Sequence, residues 1–219
     1  MTSTRDLQKL LTWLSPAFPV GAFAWSAGLE AAIVAGTVHD RTSAQQWIGG
    51  NLTHGGMRTD AILLAQAHRA ANHSPALRDL ADLCLALSPA RERHDETIGM
   101  GEAFLAAVQA WPADYALLPR PCPYPIAVGA IASVHGIALE PTLSAFLTSV
   151  VHGQVSVAVR LVPIGQSDGL AIMATLESAI AATANQSLCA GLDAIGSAAY
   201  ATDIAQMSHE TLSTRIFRS

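Results

Sequence analysis

Pro141-Thr142-Leu143-Ser144-Ala145-Phe146-Leu147-Thr148-Ser149-Val150-Val151-His152-Gly153-Gln154-Val155-Ser156-Val157-Ala158-Val159-Arg160-Leu161-Val162-Pro163 is the stretch on which the fold class turns. Its apolar residues Leu143, Phe146, Leu147, Val150, Val151, Val155, Ala158 and Leu161 recur at i, i+3, i+4 and i+7, the spacing that lines one face of a helix. The second half, from Val155 to Leu161, also alternates and is rich in β-branched residues, which taken alone describes a strand. The helical pattern is continuous from Leu143, and no turn residue separates the halves. The stretch is therefore expected to be one helix, opened by Pro141 at its first position and ended by Pro163. A strand here would be an isolated one.

The flanking sequence repeats the theme. After it, Asp168-Gly169 precedes an Ala-rich helix to about Leu188, and a last helix is expected from about Gly191 toward Met207. Before it, residues 112–125 hold Pro112, Pro119, Pro121, Pro123 and Pro125, a density that forbids helix and marks the longest loop, a plausible seam between two halves. Ser74-Pro75 and Ser88-Pro89 each read as an N-cap hydroxyl before a first-turn proline, the second opening a helix that ends at Trp111-Pro112. Ser43-Ala44-Gln45-Gln46 reads as a capping box for a helix carrying Trp47, Leu52, Ile62, Leu63 and Leu64, with glycines at 49, 50, 55 and 56 as its weak point. A helix is expected over about Ala22 to Ala35, stopping at Gly36, and a short amphipathic one carries Leu7, Leu10, Leu11 and Leu14. The expected fold is all-α: a single-domain bundle of roughly eight to ten helices over residues 1–219, with a flexible N-terminus over about 1–5.

Composition agrees. The chain has 219 residues, 51% of them hydrophobic and 13% charged, whereas soluble domains average about 25% charged, so it must bury a large apolar surface. There are 41 Ala against 12 Phe, Tyr and Trp, which favours helices packed closely through small side chains. The net charge of -5 and the lack of a basic run argue against nucleic acid or acidic lipid as partner. Lys9 is the single lysine and follows no glycine loop, so a phosphate-cradling P-loop is excluded and lysine-based catalysis is disfavoured. Cys84, Cys122 and Cys189 form no C-x-x-C pair, and the first residues lack the apolar core of a secretory signal, so a cytoplasmic location is expected.

Few motifs carry chemistry. Ala24-Trp25-Ser26-Ala27-Gly28 approaches a nucleophile elbow but lacks its first glycine and its strand, so Ser26 reads as a packed serine. The histidines at 39, 54, 68, 73, 94, 135, 152 and 209 show no metal-ligand spacing, and Cys122 reads as a small buried hydrophobe rather than a soft-metal ligand. The run Arg91, Glu92, Arg93, Asp95, Glu96 reads as a solvated helix start rather than a binding face. The tail, about 208–219, sets Ile216 and Phe217 between Arg215 and Arg218, suited either to anchoring on a partner or to docking on its own fold.

The stretch Ser15-Pro16-Ala17-Phe18-Pro19-Val20-Gly21-Ala22-Phe23-Ala24-Trp25-Ser26-Ala27-Gly28-Leu29-Glu30 resembles the opening motif of the urease accessory protein F family, S-P-x-x-P-x-G-x-[FY]-x-x-S-x-G-L-E. The ending His209 to Ser219 resembles that family's H-E-x-x-x-S-R-L-F-x-S tail, with Thr214 and Ile216 where many relatives carry Ser and Leu. Glu96-Thr97-Ile98-Gly99-Met100-Gly101, Pro125-Ile126-Ala127-Val128-Gly129 and Val159-Arg160-Leu161-Val162-Pro163-Ile164-Gly165-Gln166 fall between them in the family's order.

The resemblance implies an all-helical, non-enzymatic scaffold, usually a homodimer. It would join a D/H-type urease accessory protein to a G-type GTPase and enable GTP-dependent nickel insertion into apo-urease. No cofactor is expected to be held tightly, and the nickel would be handled by the complex. By position in the motifs, Phe23 and Arg215 are the candidate GTPase contacts. His209, Glu210, Ile216, Phe217 and Arg218 are the candidate D/H-type contacts. Pro19, Gly21, Ser26, Gly28, Leu29 and Glu30 complete the opening motif, the role of Glu30 being open. The alternatives are a small-molecule enzyme using Ser26 with His135 or His152, and a chaperone that itself binds nickel.

Overall fold

A computed structural model describes residues 3–219. The described residues form ten α-helices and three short 3-10 turns, with no strand, around one core. The helices are α1 (Thr4–Trp13), α2 (Leu29–Val34), α3 (Arg41–His54), α4 (Gly56–Arg69), α5 (Ser74–Ala86), α6 (Arg91–Ala107), α7 (Tyr124–Val134), α8 (Leu139–Leu161), α9 (Gln166–Cys189) and α10 (Tyr200–His209). Of the expected flexible stretch, residues 1 and 2 lie outside the described ones. From Ser3 the chain is capped, its hydroxyl accepting from the Asp6 N–H at 3.1 Å.

The deciding stretch is helical throughout. Leu143, Phe146, Leu147, Val151, Val155 and Ala158 of α8 are buried, so the 3.6-residue stripe outweighs the strand propensity of Val155 to Val159. α8 is also the one described helix long and apolar enough by composition to cross a bilayer, yet its stripe is covered by α9, α4, α3 and α2. α7 sits at the centre, enclosed by α4 and α6 with every residue from Tyr124 to Ala132 buried. The proline-rich loop before it is therefore no seam, because the helix that follows packs on helices that precede it.

Several helix ends differ from expectation, each for a local reason. The single helix expected through Leu64 breaks at Gly55 into α3 and α4, where a Cβ would come within 2.4 Å of Asn51 Oδ1 and 2.9 Å of Ala199 Cβ. α3 is capped by Asp40, whose Oδ1 accepts from the Ser43 N–H at 2.8 Å, so Ser43 is the third residue of the capping box rather than its start. His73, not Ser74, caps α5 through Nδ1, which accepts from the Ala76 N–H at 3.1 Å. α6 starts at Arg91 after an Ala90 that offers no side-chain cap. α8 begins two residues before Pro141, and α10 begins only at Tyr200, after a 3-10 turn and extended chain.

The expected helix over 22–35 is replaced by a 3-10 turn (Ala22–Ala24), an extended Trp25, and left-handed Ala27 and Gly28, leaving α2 to start at Leu29. Gly28 has φ 81°, and a Cβ there would lie 2.7 Å from the Gln206 amide nitrogen of α10. Close approach of α10, rather than helix propensity, decides this segment.

Candidate partner-binding site

The break in the opening motif exists to receive the end of the chain. The Arg218 N–H donates to the Ala24 carbonyl at 2.7 Å and the Ser26 N–H to the Ser219 main-chain oxygen at 2.8 Å. The Ser26 hydroxyl also donates to Ser219 O, and the Ala27 N–H donates to Ser219 Oγ at 3.2 Å. Ser26 is fully buried with its carbonyl accepting from Gln154 Nε2 at 3.0 Å, so it is a packed serine engaged with the tail. Of the two docking possibilities for the tail, docking on its own fold is what the chain adopts.

Two glutamates clasp it. Glu30, on the first turn of α2, accepts from the Ile216 N–H at 2.7 Å through Oε1 and from the Phe217 N–H at 2.9 Å through Oε2. Its Oε2 also lies 3.0 Å from His209 Nε2 at the end of α10. Glu92, on the first turn of α6, meets the other ring nitrogen, Nδ1, at 2.7 Å through Oε2 and binds the Arg215 guanidinium through Oε1. His209 is 0% exposed. Glu210 adds a third tie: its Oε1 accepts from the N–H groups of Arg91 at 2.7 Å and Glu92 at 3.3 Å, supplying from the tail the cap that α6 lacks in its own sequence.

The clasp corrects one reading outright. The charged run at 91–96 is not a solvated face, because Glu92 and Glu96 are buried and Arg93 pairs with both Asp60 and Glu96. Burial outweighs Arg93 and raises the carboxyls of both Asp60 and Glu96. At Glu30 burial pushes upward too, but the Ile216 N–H, the His209 ring and the Phe217 N–H outweigh it and hold the carboxyl below its ordinary 4.5. A carboxyl depressed on folding stabilises fully above its unfolded value and loses that contribution as pH falls through the folded one. The Glu30 share of the clasp is thus fully present above about pH 4.5 and is lost as pH falls through its lower folded value, whereas acid favours the protonated forms of Asp60 and Glu96. In an acid titration the Ile216 and Phe217 amide resonances should move to random-coil positions while those of α7 stay dispersed. Simultaneous loss of both sets would refute this order.

The candidate contacts fall into exposed and enclosed sets. Phe23 is 56% exposed and Ile216 75%, and Arg215 and Arg218 also reach solvent, whereas His209 and Phe217 are buried. Arg160 ties the two ends of the chain together: its guanidinium carbon lies 4.4 Å from the Phe217 ring centroid and 5.5 Å from that of Phe23. Arg218 similarly covers Trp25 at 4.8 Å. Pro19 is exposed ahead of the turn that Gly21 makes, and Leu29 is buried under the clasp. Beside the tail, Tyr200, Ile204 and Met207 form an exposed apolar stripe along α10.

Sequence reasoning missed Glu92 and Arg160. Arg160 had a signal, as the one charge in the long stretch from Pro141 to Gly169 before Asp168, whereas Glu92 was masked by its charged neighbours. Cys122 is buried, its thiol pushed up to about 12 by burial and then by Glu102, which makes it a poor ligand. His135 is bonded to Lys9 Nζ at 3.2 Å and to the Tyr115 hydroxyl at 2.8 Å, away from any contact with Ser26. Among the described residues no group of three or more His, Cys, Asp or Glu could hold a metal ion.

Comparison with known proteins gives this geometry its context. The family model UreF matches residues 38–177. The chain is 48% identical over 223 aligned residues to the urease accessory protein UreF of Rhizobium etli, covering 100% of both chains. It belongs to the UreF family. Similar relatives carrying the same name occur in Rhodopseudomonas palustris, 47% identical over 98% of this chain and 94% of the relative, and in Agrobacterium fabrum, 46% identical over 97% and 96%. The UreF model stops short of both the opening motif and the tail, but the full-length relatives align with them, so the clasp lies within the region of likeness.

Proposed function

We propose that this chain is a non-enzymatic urease maturation factor of the cytoplasm. It joins a D/H-type accessory protein to a G-type GTPase so that GTP hydrolysis is coupled to nickel insertion into apo-urease. The relatives' shared name, urease accessory protein, supports the urease part of this reading. The observation that carries the scaffold part is the clasp: it uses the chain's own buried carboxylates to hold a tail whose side chains Arg215, Ile216 and Arg218 remain exposed, as Phe23 is.

In this reading Phe23 and Arg215 contact the GTPase. Arg160 links the Phe23 ring to Phe217, two residues beyond Arg215, and so brings the segments bearing both contacts into one patch. Glu210, Ile216 and Arg218, with the exposed apolar stripe Tyr200, Ile204 and Met207, contact the D/H-type partner. The buried His209 and Phe217 serve that surface from beneath. The 51% apolar composition fits a subunit that covers further surface by homodimerisation. Nickel is cargo of the assembled complex. An enzymatic role for Ser26 finds no support, since its hydroxyl is engaged by Ser219 rather than by a histidine.

Co-expression with the D/H-type protein and the GTPase, followed by size-exclusion chromatography, tests the scaffold. Arg215→Ala is expected to weaken GTPase capture about 30-fold or more, the loss of a hot-spot arginine, while retaining the D/H-type protein. Unchanged capture of the GTPase would remove Arg215 from the interface.

A further inference from the structure

We infer that Glu92 is the positioning residue for Arg215, fixing that guanidinium in place before any partner arrives. The inference rests on the reading of Arg215 as a partner contact. Glu92 is held at both of its ends by the segment 209–215: its amide donates to Glu210 Oε1 at 3.3 Å, and its carboxylate takes His209 Nδ1 on one oxygen and Arg215 on the other. Between those ties, residues Thr211, Ser213 and Thr214 are exposed. The segment is thus a surface loop laced to one buried glutamate, whose side chain is 10% exposed while that of Arg215 is 43% exposed.

The physical consequence follows from side-chain entropy. A free arginine on an exposed tail samples many rotamers and must lose that freedom on binding, whereas one already paired with a fixed carboxylate has lost it in the free protein. One face of the guanidinium fork is occupied by Glu92 and the rest is left for a partner's acceptor groups. Glu92 itself cannot shift, because the His209 ring bridges it to Glu30 and through Glu30 to the Ile216 and Phe217 amides. Arg215 is therefore held at an address set by α2, α6 and α10 together.

A double-mutant cycle decides the matter. Purified G-type GTPase is titrated against the full-length chain, Glu92→Gln, Arg215→Ala and the combined variant, and amide exchange of residues 212–219 is followed in each isolated chain. Glu92→Gln should bind the GTPase about ten-fold more weakly, and the combined variant no more weakly than Arg215→Ala alone, because the effect of Glu92 on the GTPase passes through the arginine. Exchange of the tail amides should rise in Glu92→Gln with that of α7 unchanged. Additive losses, or wild-type affinity of Glu92→Gln, would overturn the inference. Should Arg215→Ala leave GTPase binding intact, it is the partner assignment that fails. Tail exchange in Glu92→Gln then decides the positioning role by itself, and unchanged protection refutes it. If Glu92→Gln does not fold, Arg215→Gln reads the same contact from its exposed side: tail exchange must rise, and an unaltered tail refutes the positioning role.

Discussion

Replacing Gly129 by alanine is expected to destabilise the protein by about 3 kcal/mol or more, the upper end of what overpacking costs a core. Gly129 lies on α7 where it crosses α4, and a Cβ there would come within 2.3 Å of the Leu64 carbonyl oxygen, 3.0 Å of its carbon and 3.2 Å of the His68 nitrogen. All three are backbone atoms of a helix packed on several sides, so nothing can swing away, and the two central helices must separate. Gly101→Ala should act in the same way, since its Cβ would meet the Cys122 carbonyl oxygen at 1.9 Å and the backbone of Pro123 and Tyr124 at 2.8 Å. Gly99, two residues earlier on α6, provides the control. Nothing lies within 4 Å of its Cβ position, so Gly99→Ala should stabilise by about 0.5–1 kcal/mol through helix propensity. Urea unfolding of the three variants reads the difference directly. Equal midpoints for Gly129→Ala and Gly99→Ala would show that the close helix crossing is not as described.

Glu30→Ala is expected to release the tail. The substitution leaves the Ile216 and Phe217 amides and His209 Nε2 without an acceptor in a dry site, and breaking such a buried charged contact from one side costs about 3–5 kcal/mol. The cost can be avoided by letting residues 210–219 leave and hydrate, so the loss should appear as local detachment and not as unfolding of the helical core. Trypsin is a suitable probe, because in the native chain the Arg218 N–H donates to the Ala24 carbonyl, while Arg215 is held through its guanidinium on Glu92 and the following Ile216 N–H on Glu30. Cleavage after both should accelerate by about two orders of magnitude, in line with a clasp worth ~3 kcal/mol, while the circular dichroism of the core persists. Capture of the GTPase and the D/H-type protein should fall together. A tail as resistant in Glu30→Ala as in the wild type would mean that the clasp does not hold it.

Sequence and structure contribute differently to these two expectations. The crossing at Gly129 follows from a small residue in an apolar run, Pro125-Ile126-Ala127-Val128-Gly129, but which neighbour needs the missing side chain is visible only once α4 is in place. Glu30 was legible as a motif position of open role. Its task depends on amides that lie 186 and 187 residues away, a separation at which no local pattern operates. Glu92 was misread for the same reason: a charge at a helix start is solvated by default, and only the arrival of α10 and the tail encloses it.

The sequence by itself determined that the chain is helical, roughly where α1, α5, α6, α8 and α9 lie, and that α8 is a helix and not a strand, because side-chain periodicity is a property of neighbours in the chain. Only the tertiary structure decided where α2 and α10 begin, which glycines are indispensable, and that the two ends of the chain form a single site. Those outcomes are set by hydrogen bonds and steric contacts between segments that meet only after folding, and a carboxylate gives no sign in the sequence of which distant N–H groups it will satisfy.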